Sequence, residues 1–203
     1  MKPLLFILLL FFWTQVYSQG GDIIKLAFGD KSNFDITTSL HNKKPNKYFV
    51  LNTIDKWNSY RFHLKENIKS DSVRNILSAD EHHPYNHSYI FKDTVLDRLF
   101  SDKEKEWLYQ VTQTITPKQL IDGFNEFSLV KSFKTVKNGF FFSTTDAIFS
   151  SDKQFAFIDI TTYRKDKETK ELNDSYFAAI LLIYQNIKGK GWTRIKKLNY
   201  LIL

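Results

Sequence analysis

The sequence predicts an α+β fold: a C-terminal antiparallel β-meander sheet with helices from the middle segment packed on one face. Two observations carry this prediction. The last third of the chain contains four apolar stretches separated by polar or glycine-containing breaks, as consecutive strands require: Phe140–Phe149, Phe155–Tyr163, Tyr176–Tyr184 and Trp192–Ile202. Between Asp93 and Phe124, in contrast, apolar residues recur mainly at the three- and four-residue spacing of helices.

The breaks between the strands predict their arrangement. Only five polar residues separate Phe149 from Phe155, which suits a hairpin, so the first two strands are expected to be antiparallel neighbours. Phe177–Ile183 is apolar at nearly every position, which is typical of a strand covered on both faces. Tyr176–Tyr184 is therefore predicted to be the most central strand, and Lys188–Gly191 to form the turn that follows it.

The helices of the middle segment are predicted from their starts. Asp93–Phe100 has helical spacing, and Ser101-Asp102-Lys103-Glu104 matches a capping box, in which the Ser and Glu side chains satisfy N–H groups at a helix start. Proline is favourable at a first helical position, so Thr116-Pro117 predicts a further helix. The residues expected to face the core from the last two helices are Trp107, Leu108, Val111, Ile115, Leu120, Ile121 and Phe124.

The N-terminal half gives weaker indications. Ile23–Phe28 predicts a short strand that ends at Gly29-Asp30. Tyr48–Leu51 is apolar but short, so a buried strand and the start of a helix both remain open. From Lys56 to Ile68 the aromatic and aliphatic residues have helical spacing, whereas Arg61–Leu64 alternates as a strand would, and the secondary structure of residues 47–68 stays undecided.

The first residues have the composition of a signal peptide. Lys2 supplies a positive charge at the start, Leu4–Trp13 is an uninterrupted apolar run, and Val16-Tyr17-Ser18 suits a cleavage site. Residues 1–18 are therefore predicted to be a signal peptide that is removed. Residues 19–203 are predicted to form a single α+β domain. The apolar run is shorter than the roughly 20 residues that a membrane helix needs. We therefore expect a periplasmic or secreted protein with no stable membrane span after cleavage.

Charge and composition exclude several classes of function. The formal charge is +7, but the basic residues are dispersed and the densest run, Arg164–Glu171, alternates in sign, so no nucleic-acid partner is expected. The absence of Cys excludes disulfides, thiol catalysis, cysteine metal sites and lipid attachment through a thiol. No phosphate-binding glycine loop, Rossmann fingerprint or nucleophile elbow is present, and no cofactor is expected.

One segment contains residues that could bind a metal ion. His82, His83 and His87 lie with two carboxylates in a short polar stretch, and imidazole and carboxylate groups are the ligands of zinc when Cys is absent. Their spacing matches no zinc motif, and Pro84 makes a continuous helix here improbable. A solvated polar loop is the alternative interpretation.

A possible binding rim consists of Arg164, Lys165, Lys167 and Trp192. The three basic residues belong to the charged insert Arg164–Asp174, which is long for a connection between strands; such loops are either functional or mobile. Trp192 follows a glycine-containing turn, where an indole can stack on a ligand or cover the edge of the core.

Two aspartates of the predicted sheet are also considered. Asp159 lies within a strand, between Ile158 and Ile160, where a carboxyl group is either on a solvated face or buried with a shifted pKa and a possible acid–base role. We expect a solvated or merely hydrogen-bonded carboxyl group, because antiparallel sheets commonly have one wet face, and we expect the same of Asp146. Trp57 is expected in the core.

Thr144–Ile158, followed by an apolar strand and Gly191-Trp192-Thr193-Arg194-Ile195, resembles the C-terminal meander of small exported bacterial proteins of unknown function. The resemblance covers about the last third of the chain. Ala147 stands where that pattern favours proline, and the charged insert interrupts it. The resemblance implies a fold and an export route and carries over no catalytic residue.

These observations lead to a functional expectation without a named ligand. The chain is expected to be an exported, non-enzymatic domain that binds an envelope protein or a small ligand held between helices and sheet. One alternative is an envelope hydrolase or metal-dependent enzyme that uses the His82–His87 loop or the strand carboxylates. Another is an inhibitor or immunity-type protein. Whether any catalysis occurs is left open.

Overall fold

The computed structural model describes residues 20–35, 48–63, 89–120, 127–136, 139–165 and 176–201. The predicted signal peptide lies outside them. The main elements are, in chain order, α1 (residues 20–29), β1 (Tyr48–Asp55), α2 (Thr94–Leu99), α3 (Asp102–Thr114), β2 (Phe127–Val130), β3 (Gly139–Thr145), β4 (Ile148–Phe149), β5 (Phe155–Lys165), β6 (Tyr176–Ile187) and β7 (Gly191–Leu201). Single 3₁₀ turns occur at Lys31–Phe34, Ser59–Arg61, Ile90–Lys92 and Phe133–Thr135.

The described strands form one mixed sheet in the order β2-β1-β3-β5-β6-β7, with β4 paired to β5. The predicted α+β class with a C-terminal antiparallel meander is confirmed by the β5-β6-β7 pairing. β1 is parallel to both β2 and β3, which the sequence did not indicate. Because β1 and β2 extend the sheet beyond β3, its middle lies at β3 and β5. The prediction that Tyr176–Tyr184 is the most central strand is therefore wrong.

The sheet is covered on both faces. Residues 178–184 of β6 are all buried, as their continuous apolar sequence predicts. Ile180 and Leu182 belong to the core beneath α1, whereas Leu181 and Ile183 belong to the core beneath α2 and α3. Because successive side chains of a strand point to opposite faces, β6 contributes to both cores at once. No helix in the described ranges is long and apolar enough to cross a membrane.

Residues 20–29 form a helix, and the strand predicted for Ile23–Phe28 is wrong. The buried residues are Ile23, Ile24, Ala27 and Phe28, which recur at one-, three- and four-residue steps along one helical face. Asp22 and Lys25 lie on the exposed face. The window was short enough to suit a strand, but burial of this one stripe against the sheet favours the helix, at about 1.5–3 kcal/mol for each large side chain.

Helix α3 begins at the predicted capping box, of which one half is formed. The Ser101 hydroxyl accepts a hydrogen bond from the Glu104 N–H at 3.2 Å. The Glu104 carboxylate instead accepts from the backbone N–H of Ser151 at 2.7 Å and from its hydroxyl at 2.5 Å. The start of α3 is thereby joined to the turn between β4 and β5.

Two further predictions about the middle of the chain are wrong. The backbone of residues 116–120 is extended rather than helical: Ile54 N–H donates to the Lys118 carbonyl and Leu120 N–H donates to the Asn52 carbonyl, both at 2.7 Å. Pairing with β1 gives these groups the partners that a helix would otherwise supply. The stretch predicted as one strand, Phe140–Phe149, is divided into β3 and β4 by a break at Asp146 and Ala147.

Candidate functional site

A cleft of about 560 Å³ lies between α3 and the strand β4. Its wall on the α3 side contains Trp107, Val111 and Ile115, and its wall on the sheet side contains Ile148 and Phe149. The remaining lining residues are Gly20, Thr114, Thr116, Lys118, Asp146, Ala147, Ser150, Ser151 and Lys153. The lining is predominantly apolar with a few polar groups, as is typical of small-molecule sites.

Trp107 is the most prominent side chain of this cleft. Its side chain was expected in the core, but the residue is 47% exposed, whereas its neighbour Leu108 is fully buried. Leu108 points towards the sheet, and a helix turns by about 100° per residue, so Trp107 lies at the border of the buried stripe. The indole N–H donates to the Phe149 carbonyl at 3.2 Å, which anchors the ring to β4 while it stays accessible.

Asp146 lies in the break between β3 and β4, half-buried and hydrogen-bonded, which is one of the two arrangements expected for it. Its carboxylate accepts from the Ala147 N–H at 3.1 Å and forms an ion pair with Lys118. The Trp57 indole, buried as predicted, donates to the Asp146 carbonyl at 2.8 Å. A Cβ atom added to Gly20 would lie 3.2 Å from the Asp146 carboxylate, so the start of α1 packs closely against this residue.

The turn between β4 and β5 closes one part of the cleft and is internally hydrogen-bonded. Ser150 Oγ donates to the Asp152 carboxylate at 2.6 Å and accepts from the Phe155 N–H at 2.9 Å. The hydrogen bond from Ser150 lowers the pKa of Asp152, and one from the Gln154 N–H acts in the same direction. Lys153 has a φ of 56°, a left-handed conformation that costs a non-glycine residue roughly 1–2 kcal/mol.

A second group of polar residues lies on the sheet face that α2 and α3 cover. Asp159 is 6% exposed and forms an ion pair with Arg61, with 2.5 Å between Nε and Oδ2. The guanidinium carbon of Arg61 lies 4.2 Å from the centre of the Tyr200 ring. The other carboxylate oxygen of Asp159 is buried without a hydrogen-bond partner in the described part of the chain. Of the two arrangements expected for Asp159, the solvated one is wrong, because this face of β5 is covered, and the carboxylate is instead held by Arg61.

Asp55 lies close to this ion pair, at the end of β1. Ser143 Oγ donates to its carboxylate and lies 3.3 Å from the Tyr163 hydroxyl. Burial raises the pKa of Asp55, and the negative charge of Asp159 raises it further. The hydrogen bond from Ser143 acts in the opposite direction. Burial raises the pKa of Tyr163 as well. Asp55 can thus hold a proton at higher pH than an ordinary aspartate.

Relatives give no independent indication of either location. The chain matches no protein-family model, no curated protein and no solved structure.

The candidate metal ligands His82, His83 and His87 lie outside the described residues. Within the ranges that the structure describes, no three His, Cys, Asp or Glu side chains are grouped to hold a metal ion.

The residues of the predicted binding rim are dispersed. Arg164 is exposed near the end of β5, and the Lys165 amino group donates to the Phe133 carbonyl at 2.9 Å. Lys167 lies outside the described residues. Trp192 is half-buried, with its ring centre 5.7 Å from that of Phe149. None of the described rim residues lines the cleft, although Trp192 packs against one of its walls.

Sequence reasoning missed the cleft because its parts come from distant positions. The capping box located the start of α3, and the break before β4 contains an aspartate, but no local spacing relates the two. The usable indications were Trp107 in an amphipathic helical stretch and Lys153 in a hairpin turn. Neither residue indicates a ligand until α3 and β4 are placed side by side.

Proposed function

We propose that the chain is an exported, non-enzymatic domain that binds a small ligand in the cleft between α3 and β4. The observation that carries this proposal is the exposed indole of Trp107 on the wall of an apolar cleft. Ligand sites of proteins commonly have volumes of about 300–1,000 Å³ and a few polar groups among apolar walls. The cleft has both properties, and it lies between helix and sheet.

The fixed position of Trp107 supports binding rather than general surface exposure. The indole N–H of Trp107 donates to the Phe149 carbonyl. Glu104 of the same helix accepts a hydrogen bond from the N–H of Ser151, which lies in the turn after β4. These two connections set the separation of the cleft walls. A ligand would therefore meet a wall that loses little conformational freedom on binding, which favours affinity.

Export is supported by the sequence features of residues 1–18, namely Lys2, the apolar run Leu4–Trp13 and the cleavage site Val16-Tyr17-Ser18 before Gln19. An envelope protein that inserts a side chain into the cleft is the alternative occupant.

Binding of the neutral apolar dye N-phenylnaphthylamine to protein produced from the whole coding sequence tests the proposal. We expect dye fluorescence to rise on binding and Trp107→Ala to weaken the affinity about tenfold, as loss of a tryptophan anchor does. Val95→Ala is the matched control, because Val95 is 60% exposed and does not line the cleft. Absence of dye binding, or equal affinity in Trp107→Ala, would overturn the proposal.

One observation favours a second candidate, an exported hydrolase that uses strand carboxylates. Asp55 has a raised pKa beside the buried Asp159, and a carboxyl group that keeps its proton can act as a general acid. In this case the protein should hydrolyse an envelope polymer, and Asp55→Asn should abolish turnover. A protein without hydrolytic activity on wall glycans and peptides would remove this candidate.

A further inference from the structure

We infer that the ligand of the α3–β4 cleft is an amphipathic cation, whose apolar chain contacts the walls and whose ammonium group lies beside the Trp107 ring and the Glu104 carboxylate. This inference rests on the proposed function and names the class of ligand for the same site.

The first argument is that a carboxylate lies next to the exposed indole. Glu104 and Trp107 are three residues apart on α3, a spacing that makes them neighbours on the helix surface. The Trp107 N–H donates to the Phe149 carbonyl. The Glu104 carboxylate accepts two hydrogen bonds from Ser151, two residues further along the chain. Because a tryptophan ring attracts a cation above its face, an indole and a carboxylate held side by side suit an ammonium group.

The second argument is the balance of charge around the cleft. Lys118 and Asp146 of the lining form an ion pair and neutralise each other. Glu104 and Asp152 each accept a hydrogen bond from a serine of the lining. The other lysine of the lining, Lys153, is exposed. In the described part of the chain, the carboxylates in and beside the lining therefore outnumber its lysines by one, and a cation complements this excess.

The third argument is that charge and apolar surface are separated along the α3 wall. Val111 and Ile115 follow Trp107 at four-residue steps and line the cleft towards the C-terminal end of α3, whereas Glu104 lies in the first turn. The hydroxyl of Thr114 donates to the Val111 carbonyl at 2.8 Å and is already engaged. A ligand with many hydroxyl groups would find few partners along this wall and would leave polar groups unsatisfied. An apolar chain with one charged end does not carry this penalty.

Decyltrimethylammonium, decanol and decanoate have the same apolar chain and different head groups, and their competition with N-phenylnaphthylamine tests the inference. We expect the cation to bind about tenfold more tightly than decanol, from one exposed cation–π contact and one partly exposed ion pair. Glu104→Gln keeps an oxygen that can accept from Ser151 but removes the charge, and it should reduce this advantage to about threefold. Trp107→Leu keeps an apolar side chain and should weaken binding of the cation more than binding of decanol.

Glu106→Gln is the matched control for the Glu104 variant. Glu106 is an exposed carboxylate of the same helix, but it accepts from Gln110 rather than from a residue of the cleft lining. This variant should alter neither affinity. Because the ratio of the two affinities is measured in each variant, a loss that is common to both ligands leaves the test intact.

The outcomes separate this inference from the proposed function. If decanol displaces the dye but the cation binds no more tightly, or if Glu104→Gln leaves the advantage intact, the cleft binds apolar chains but the inferred ligand class is wrong. Tighter binding of decanoate than of decanol would also overturn the inference. If none of the three displaces the dye, or the dye itself does not bind, the proposed function fails too. The advantage of the cation should shrink with added salt, because exposed charge pairs are screened, and an advantage that salt leaves unchanged would contradict the pairing with Glu104.

Discussion

Replacing Arg61 by methionine should strongly destabilise the protein. Arg61 and Asp159 form an ion pair whose side chains are only 4% and 8% exposed. Methionine has a similar length and no charge, so the change leaves the Asp159 carboxylate buried without its cation. Breaking a buried ion pair by removing one partner costs about 3–5 kcal/mol.

The size of this effect can be set against the total stability. Proteins commonly have unfolding free energies of about 5–15 kcal/mol, so Arg61→Met should remove a large fraction. For a chain of this size each kcal/mol lowers the melting temperature by about 2–4 °C, which gives a fall of about 6–20 °C. One Asp159 carboxylate oxygen has no described partner even in the native protein, and the pair is therefore not a strong source of net stability.

Urea unfolding of four proteins measures this: wild type, Arg61→Met, Asp159→Asn and the double variant. The double variant contains neither charge, so we expect it to recover at least about 2 kcal/mol relative to the sum of the single changes. Lys197→Met is a control at a more exposed pair with Asp35 and should cost about 1 kcal/mol or less. A cost below about 1 kcal/mol for Arg61→Met, or additive single changes, would refute a buried, coupled pair.

Three further predictions concern stability. The hydrogen bond from Lys196 and the N-cap hydrogen bonds of α2 lower the pKa of Asp93 in the folded protein. The contribution of Asp93 to the unfolding free energy is therefore complete above its unfolded-state pKa and is lost as the pH falls through its folded-state pKa. Asp93→Ala should therefore cost about 1–2 kcal/mol at neutral pH and less in acid; an equal cost at both would contradict this. The raised pKa of Asp55 has the opposite effect on stability. The native state holds this proton more tightly than the unfolded state does, so stability is lost as the pH rises through the folded-state pKa. Asp55→Asn should gain unfolding free energy relative to wild type between acidic and neutral pH, and a constant difference in denaturant titrations would count against it. Lys153→Gly should raise the unfolding free energy by up to about 1 kcal/mol by relieving the left-handed strain, whereas Lys190→Gly, where φ is not positive, should not.

Features that depend on neighbouring residues were predictable from the sequence. The meander follows from apolar stretches and turns, and the hairpin before Phe155 follows from its five polar residues. The start of α3 follows from the Ser101 cap, since the donor and acceptor are three residues apart. In each case one local pattern contains both partners of the interaction.

Features that depend on distant residues were not predictable in this way. The Arg61–Asp159 pair joins positions 98 residues apart, and nothing near either residue indicates the other. The extended backbone at Lys118 depends on β1, whose pairing overrides the helix start predicted from Thr116-Pro117. The exposure of Trp107 likewise depends on where α3 lies against β4.

The Trp107 indole resonance in isotope-labelled protein provides the most direct test of binding in the cleft. On titration with N-phenylnaphthylamine, we expect the indole N–H of Trp107 and the amides of residues 147–151 to shift together and to saturate. The amides of β2, at the far edge of the sheet, should stay in place, and in Trp107→Ala the shifts at residues 147–151 should need about tenfold more dye to saturate. Unchanged signals of Trp107 and β4 at saturating dye, or shifts confined to other elements, would contradict a binding site between α3 and β4.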